Sequence, residues 1–144
     1  MIERKNLMII GADGRHADWL LAHDRHVSEQ WAKRSLSLGE YIIAEQQGEP
    51  VGFLRFSRFW GTIPFLDLIM VVPDRQRSGI GTALFQHWEA AMQEEGATLL
   101  MTSSQSDEAE PQAWHRRNGF RDAGRISFGH LQSVPEVFLV KDLR

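Results

Sequence analysis

The chain of 144 residues contains no cysteine. Disulfides, thiolate metal sites and a cysteine nucleophile are therefore excluded, and a reducing compartment fits. An excess of basic charge is also missing: Lys and Arg number 16 against 19 Asp and Glu, for a net charge of −3. That argues against nucleic acid as a partner, since binding a phosphate backbone needs a basic surface. No apolar run approaches the roughly 20 residues of a membrane span. The opening segment Met1-Ile2-Glu3-Arg4-Lys5-Asn6 lacks the apolar region of a signal peptide. These absences predict a cytoplasmic protein with no membrane partner. No repeat, low-complexity tract or linker interrupts the chain, so residues 1–144 read as a single domain. Six histidines are present, but none stands in a metal-binding spacing such as HExxH, and no metal is expected. Tyrosine occurs once, at Tyr41.

What is present reads as a globular α/β chain, 42% hydrophobic and 24% charged. Leu7 to Ile10 is a short apolar strand ended by Gly11. Helical stretches follow at Ala17 to His23 and at about Ser28 to Leu38, the second with Ser28 as N-cap and Gly39 as its stop. Tyr41 to Glu45 and Val51 to Phe56 are β-prone and flank the turn residues Gln46 to Pro50, which predicts a hairpin. Arg58 to Thr62 turns the chain into the apolar run Ile63 to Val72, ended by Pro73. In Ile80 to Glu95, the residues Ile80, Ala83, Leu84, Trp88, Ala91 and Met92 form one helical stripe, stopped at Gly96. Thr98 to Thr102 reads as a strand and Pro111 to Asn118 as a short helix before Gly119. Two more strands are expected near Ile126 to Leu131 and Glu136 to Val140. Three consecutive strands imply antiparallel pairing. The strand–helix–strand unit from Phe65 to Thr102 implies a parallel pair with a right-handed crossover. A mixed sheet with helices on both faces is predicted.

The segment Gln76-Arg77-Ser78-Gly79-Ile80-Gly81 joins an apolar strand to a helix start. The first N–H groups of a helix have no partners within it, and the helix dipole adds partial positive charge there. Glycine lets an anion approach the backbone closely, so a phosphorylated ligand is expected. A P-loop is excluded, because Gly81 is followed by Thr82-Ala83 and not by lysine. A dinucleotide fingerprint fails too, because Leu84 stands where the third glycine belongs.

The remaining pattern resembles the acetyl-CoA motif of the GNAT superfamily of N-acetyltransferases. Gln76-x-x-Gly79-x-Gly81 is similar to its pyrophosphate loop, Asp67-Leu68-Ile69-Met70-Val71-Val72-Pro73 to its fourth strand, and Trp114-His115-Arg116-Arg117-Asn118-Gly119-Phe120 to its last helix. The resemblance is clear from about Tyr41 to Phe120. It implies a mostly antiparallel sheet of about six to seven strands, with the fourth and fifth splayed apart. It also implies transfer of an acetyl group from acetyl-CoA to a primary amine by direct attack in a ternary complex.

The resemblance implies specific roles. Backbone N–H groups from Arg77 through Ser78, Gly79, Ile80 and Gly81 to Thr82 would cradle the pyrophosphate, with side-chain help from Gln76 and Arg77. Ile69 and Val71 would bond pantetheine amides, and an N–H near Met70 or Val71 would polarise the thioester carbonyl. An amine of pKa near ~10.4 needs about 4.6 kcal/mol to become free base at pH 7. Asp67, the one acid in an apolar run, is the candidate base; the alternative is a structural carboxylate paired with Arg55 or with a backbone N–H on the next strand. His115 stands where the family usually carries a tyrosine that protonates the departing thiolate; it is read as the acid, a binding contact or a packing residue. Trp31 and Trp60, with Phe59, are candidates for the acceptor pocket, or else core or interface packing. Ser104 or Gln105 stands near the place of a pantetheine contact, in a stretch read as a solvated loop. Two other readings stay open: a non-catalytic acyl-CoA-binding or sensor domain, and an acetyltransferase with a protein acceptor. The sequence also leaves room for a homodimer through the C-terminal strands.

Overall fold

The computed structural model describes residues 6–144. The first five residues, which contribute to the reading of an absent signal peptide, lie outside the described residues. Seven strands and four α-helices follow in the order β1 (Leu7–Gly11), α1 (Ala17–His23), α2 (Glu29–Ser37), β2 (Tyr41–Gln46), β3 (Glu49–Phe59), β4 (Ile63–Val71), α3 (Ile80–Glu94), β5 (Leu99–Gln105), α4 (Ala109–Arg117), β6 (Arg121–Ile126) and β7 (Glu136–Asp142). Hydrogen-bonded neighbours run β1-β2-β3-β4-β5-β7-β6. The β4–β5 pair is parallel, as the strand–helix–strand pattern predicted, and its ladder is short: Phe65 pairs with Met101 and Leu66 with Thr102. Thr102 Oγ1 adds a bond to the Leu66 carbonyl at 3.0 Å.

The chain forms two compact units. The first takes in residues up to Ser57 and Leu68–Ala91; the second takes in Arg58–Asp67 and Met92–Arg144.

In the first unit the antiparallel strands bury Tyr41, Ile43 and Phe53 together with Leu20 of α1 and Ala32 of α2. Leu68 and Met70 of β4 pack against the same cluster. On the other parity of β4, the Cβ position of Gly81 in α3 lies 3.8 Å from an Ile69 methyl and 3.9 Å from a Val71 methyl. Helices thus cover both faces of this strand. The α2 start follows its sequence signal: Ser28 Oγ accepts from the Trp31 N–H at 3.1 Å. Gly39, at φ 72°, ends the helix where a Cβ would strain the backbone.

A polar network ties α1 to this sheet. Tyr41 and Arg55 face each other across β2 and β3. Both donate to one oxygen of Asp24, the residue that caps α1: the Tyr41 hydroxyl at 2.6 Å and Arg55 Nε at 2.7 Å. Burial and the Asp24 carboxylate push the Tyr41 hydroxyl far above the ordinary phenol range, so it stays a donor. His16 makes a second buried link, with Nε2 donating to Glu45 on β2 at 2.8 Å and Nδ1 accepting from the Asp13 N–H.

In the second unit β5 pairs antiparallel with β7, and β7 with β6. Leu100, Val137, Leu139 and Phe120 are buried. Several boundaries differ from the sequence reading. β3 continues through the polar Ser57 and Arg58 to Phe59. β5 runs on through Ser103, Ser104 and Gln105, the stretch read as a solvated loop, because all three pair with β7. The sixth strand is Arg121–Ile126, upstream of the predicted Ile126–Leu131, where a 3-10 turn forms instead. β6 is exposed along its length, so burial left no alternation in its sequence.

Candidate active site

The proposed anion loop is built as its sequence indicates. β4 ends at Val71, a 3-10 turn spans Pro73–Arg75, and α3 begins at Ile80. Pro73 stops the ladder, since it cannot donate to it. The Ala83 N–H donates to the Gly79 carbonyl at 3.0 Å, the first such bond of α3. Helix geometry then leaves the N–H groups of Ile80, Gly81 and Thr82 without acceptors inside the helix. Arg77 and Gly79 both have positive φ, 64° and 89°. For arginine that conformation is strained, and it turns successive N–H groups toward one side.

The side chains of the loop mostly hold the loop itself. Gln76 Nε2 donates to the Val71 carbonyl at 3.0 Å, so this glutamine stitches the strand end to the turn. Ser78 Oγ donates to the Arg75 carbonyl, and Arg75 Nε donates to Gln46 at 2.9 Å. The Arg77 side chain is exposed. The loop therefore offers a ligand its backbone donors, while Gln76 and Ser78 fix the backbone.

Gly81 is informative in a different way. Its φ is not in the left-handed region, and a Cβ there would meet only ordinary van der Waals contacts. Neither backbone conformation nor packing of the chain requires glycine at this place. Gly81 faces the side of β4 that carries Ile69 and Val71.

Asp67 is exposed. The sequence reading treated it as a lone acid within a buried apolar run, and that part is corrected. β4 is fully buried only at Pro64 and Leu66, and water reaches residue 67. An exposed carboxylate needs no special compensation for desolvation.

His115 is the reverse. It lies on α4, only 9% exposed, with the Trp114 and Phe120 rings at 5.6 and 5.9 Å between centroids. Burial, with a smaller contribution from the Arg116 charge, pushes its pKa down to about 4. At neutral pH the ring is uncharged, and it can offer one N–H as a hydrogen-bond donor. It is not an imidazolium waiting to release a proton. Its Nδ1 has no hydrogen-bond partner among the described residues, and neither has Ser104 Oγ on β5. Both atoms belong to the second unit.

The acceptor candidates separate. Trp31 is on α2 in the first unit, 42% exposed, with the Arg34 guanidinium 4.6 Å from its ring centroid. Trp60 is in the second unit, at the tip of the β3–β4 turn, and is 81% exposed. Neither packs in the core of its unit, which corrects the core half of the alternative reading. Among the described residues no group of His, Cys, Asp or Glu has the arrangement to hold a metal ion. No helix among them is long and apolar enough to cross a membrane. Sequence reasoning missed Asp24, which sits in a polar stretch, and did not connect it with the single tyrosine. Arg55 inside an apolar strand was the one available signal.

These features agree with the comparisons. Residues 37–122 match the acetyltransferase (GNAT) domain family, and the chain belongs to that family of acyltransferases. Aminoglycoside N(6′)-acetyltransferase type 1 of Stenotrophomonas maltophilia is 29% identical over 103 residues, 66% of this chain and 67% of that one. The ribosomal-protein-S18-alanine N-acetyltransferase of Escherichia coli superposes with a TM-score of 0.80 at 19% identity, covering 95% of this chain and 94% of the other. The protein yncA of Salmonella typhimurium, solved with its cofactor acetyl-CoA, superposes with a TM-score of 0.75 at 18% identity, covering 97% and 95%. At such identities the structural likeness speaks for the fold.

Proposed function

We propose that this GNAT protein transfers the acetyl group of acetyl-CoA to a primary amine, by direct attack while both substrates are bound. The observation that carries the CoA assignment is the β4–α3 turn. It presents unpaired N–H groups, a strained Arg77 and a glycine at residue 81 that the chain's own packing does not need. A pyrophosphate against these donors supplies the missing reason.

In this reading the pyrophosphate rests on the backbone from Arg77 to Thr82, and pantetheine runs along β4, bonding backbone groups of Ile69 and Val71. The N–H of Met70 or Val71 polarises the thioester carbonyl as negative charge develops on its oxygen. The amine lone pair attacks the carbonyl carbon, and the C–S bond breaks. The proton lost by nitrogen goes to Asp67 through water, which its exposure permits. The CoA thiolate leaves against a hydrogen bond from neutral His115. A homodimer through the C-terminal strands would cover β6, and equilibrium sedimentation measures it.

The test has two readouts: calorimetric binding of acetyl-CoA, and CoA release with polyamines, aminoglycosides, amino acids and lysine peptides. Binding together with release by one amine class supports the proposal. Binding with no release across the panel would leave the acyl-CoA-binding domain. Absence of binding would sink both.

A further inference from the structure

The β3–β4 turn carries an anomaly. Two turns overlap there, closed by Gly61 N–H to the Arg58 carbonyl at 3.1 Å and Thr62 N–H to the Phe59 carbonyl at 3.0 Å. In the second, both central residues have positive φ: Trp60 at 58° and Gly61 at 75°. That is the type I′ pattern, which favours Asn, Asp or Gly at its first central position. The equivalent turn between β2 and β3 carries Gln47 and Gly48, at 53° and 80°. A bulky aromatic residue in the left-handed region is strained. Burial does not compensate, since Trp60 is 81% exposed.

The indole is also uncapped. Trp31, another exposed tryptophan, already has Arg34 over its ring. The Phe59 ring lies beside Trp60, 4.6 Å between centroids, and Arg58 pairs with Glu95 at 3.0 Å. Among the described residues no cation lies over the Trp60 face. An exposed indole backed by a second ring is a receptor for an ammonium group through its quadrupole. Asp67 lies on β4 beyond this turn, in the same unit. From Ile63 to Asp67 the strand rises roughly 13 Å.

We infer that the Phe59–Trp60 pair at the β3–β4 turn is a second ammonium site, which selects extended acceptors bearing two or more cationic groups. The inference rests on the acetyltransferase reading above: one amine reacts near Asp67 while another cation, roughly 13 Å or more away along the strand, meets the indole face. Two sources offer that chemistry, a polyamino sugar and a peptide with a free N-terminus and a distal lysine. A short monoamine cannot reach both places.

The experiment compares the wild-type protein with Trp60→Asn and Trp60→Phe. Asparagine is a residue the turn prefers, so Trp60→Asn should keep or raise Tm, by up to about 3 °C. With kanamycin, or with a lysine-bearing hexapeptide, KM for the acceptor should rise about three- to tenfold in Trp60→Asn and less in Trp60→Phe. KM for ethanolamine and the affinity for acetyl-CoA should not move. Whichever of the two long acceptors shows the effect identifies the source. Equal KM values in wild type and Trp60→Asn for both would overturn the inference, as would a fall in Tm accompanied by weaker acetyl-CoA binding. If acetyl-CoA binds but no amine releases CoA, the catalytic reading fails separately. Calorimetric titration of kanamycin and the peptide into the CoA-saturated protein then decides the site: binding weakened by Trp60→Asn supports it, and unchanged or absent binding overturns it.

Discussion

Asp24 and Asp67 are two carboxylates whose surroundings assign them different work. Asp24 is buried and gives one oxygen to both Tyr41 and Arg55, so it is committed to holding α1 on the sheet. Asp67 is open to water, and the proposed mechanism uses that exposure to pass a proton. If Asp67 is the base, Asp67→Asn should lower kcat/KM at pH 7 by about a hundredfold or more. The deficit should shrink toward pH 10, where the acceptor amine is increasingly free base without help. A pH–rate comparison of the two proteins decides this; a deficit of constant size from pH 7 to 10 would remove the proton from Asp67's role. The position of Asp67 was legible from the strand motif, but its exposure was not. An apolar run reads the same whether its strand is covered or open.

At the scale of elements, the β4–turn–α3 unit was the most legible part of the chain. Its signals are local: Pro73 ends a ladder, Gly79 permits positive φ, and the stripe from Ile80 to Met92 has helical period. Gly81 is the point at which stability and ligand binding pull apart. A Cβ fits there, and alanine is about 1 kcal/mol better than glycine inside a helix. Gly81→Ala should therefore stabilise the unliganded protein by about 0.5–1 kcal/mol in urea denaturation. If the pyrophosphate approaches at this residue, the same methyl should weaken acetyl-CoA binding, read by calorimetry. Unchanged affinity would move the anion elsewhere. Elements held by pairing rather than by period were harder to read. Ser103, Ser104 and Gln105 look like a polar loop, yet they continue β5 because β7 lies alongside to receive their backbone groups. The exposed β6 shows the same effect, since without a covered face it has no alternation to betray it.

For the molecule as a whole, His115 makes stability depend on acid. Its folded-state pKa of about 4 lies below the ordinary value of 6.5. The unfolded chain thus binds the proton more readily than the folded one. By linkage, stability is fully present above about pH 6.5 and is lost as pH falls from there through about 4. The full shift corresponds to about 3 kcal/mol. Denaturation midpoints of wild type and His115→Phe, measured between pH 7 and 4.5, should diverge, with the wild type falling more steeply. Parallel profiles would show that the ring titrates normally. The same variant should lower turnover more than it weakens acetyl-CoA binding if His115 supports the departing thiolate.

What the amino-acid sequence determined by itself was the class of fold, the order of most elements and the strand–turn–helix unit around Gly79. All of these rest on short-range rules: side-chain period, cap residues and the special backbones of glycine and proline. Only the tertiary structure decided that His115 is buried and neutral, that Asp67 faces water, that Asp24 binds Tyr41 and Arg55, and that Trp60 stands exposed on a strained turn. Burial and charge depend on neighbours far away in the chain, and the desolvation that sets the chemistry of a side chain exists only once those neighbours have closed around it.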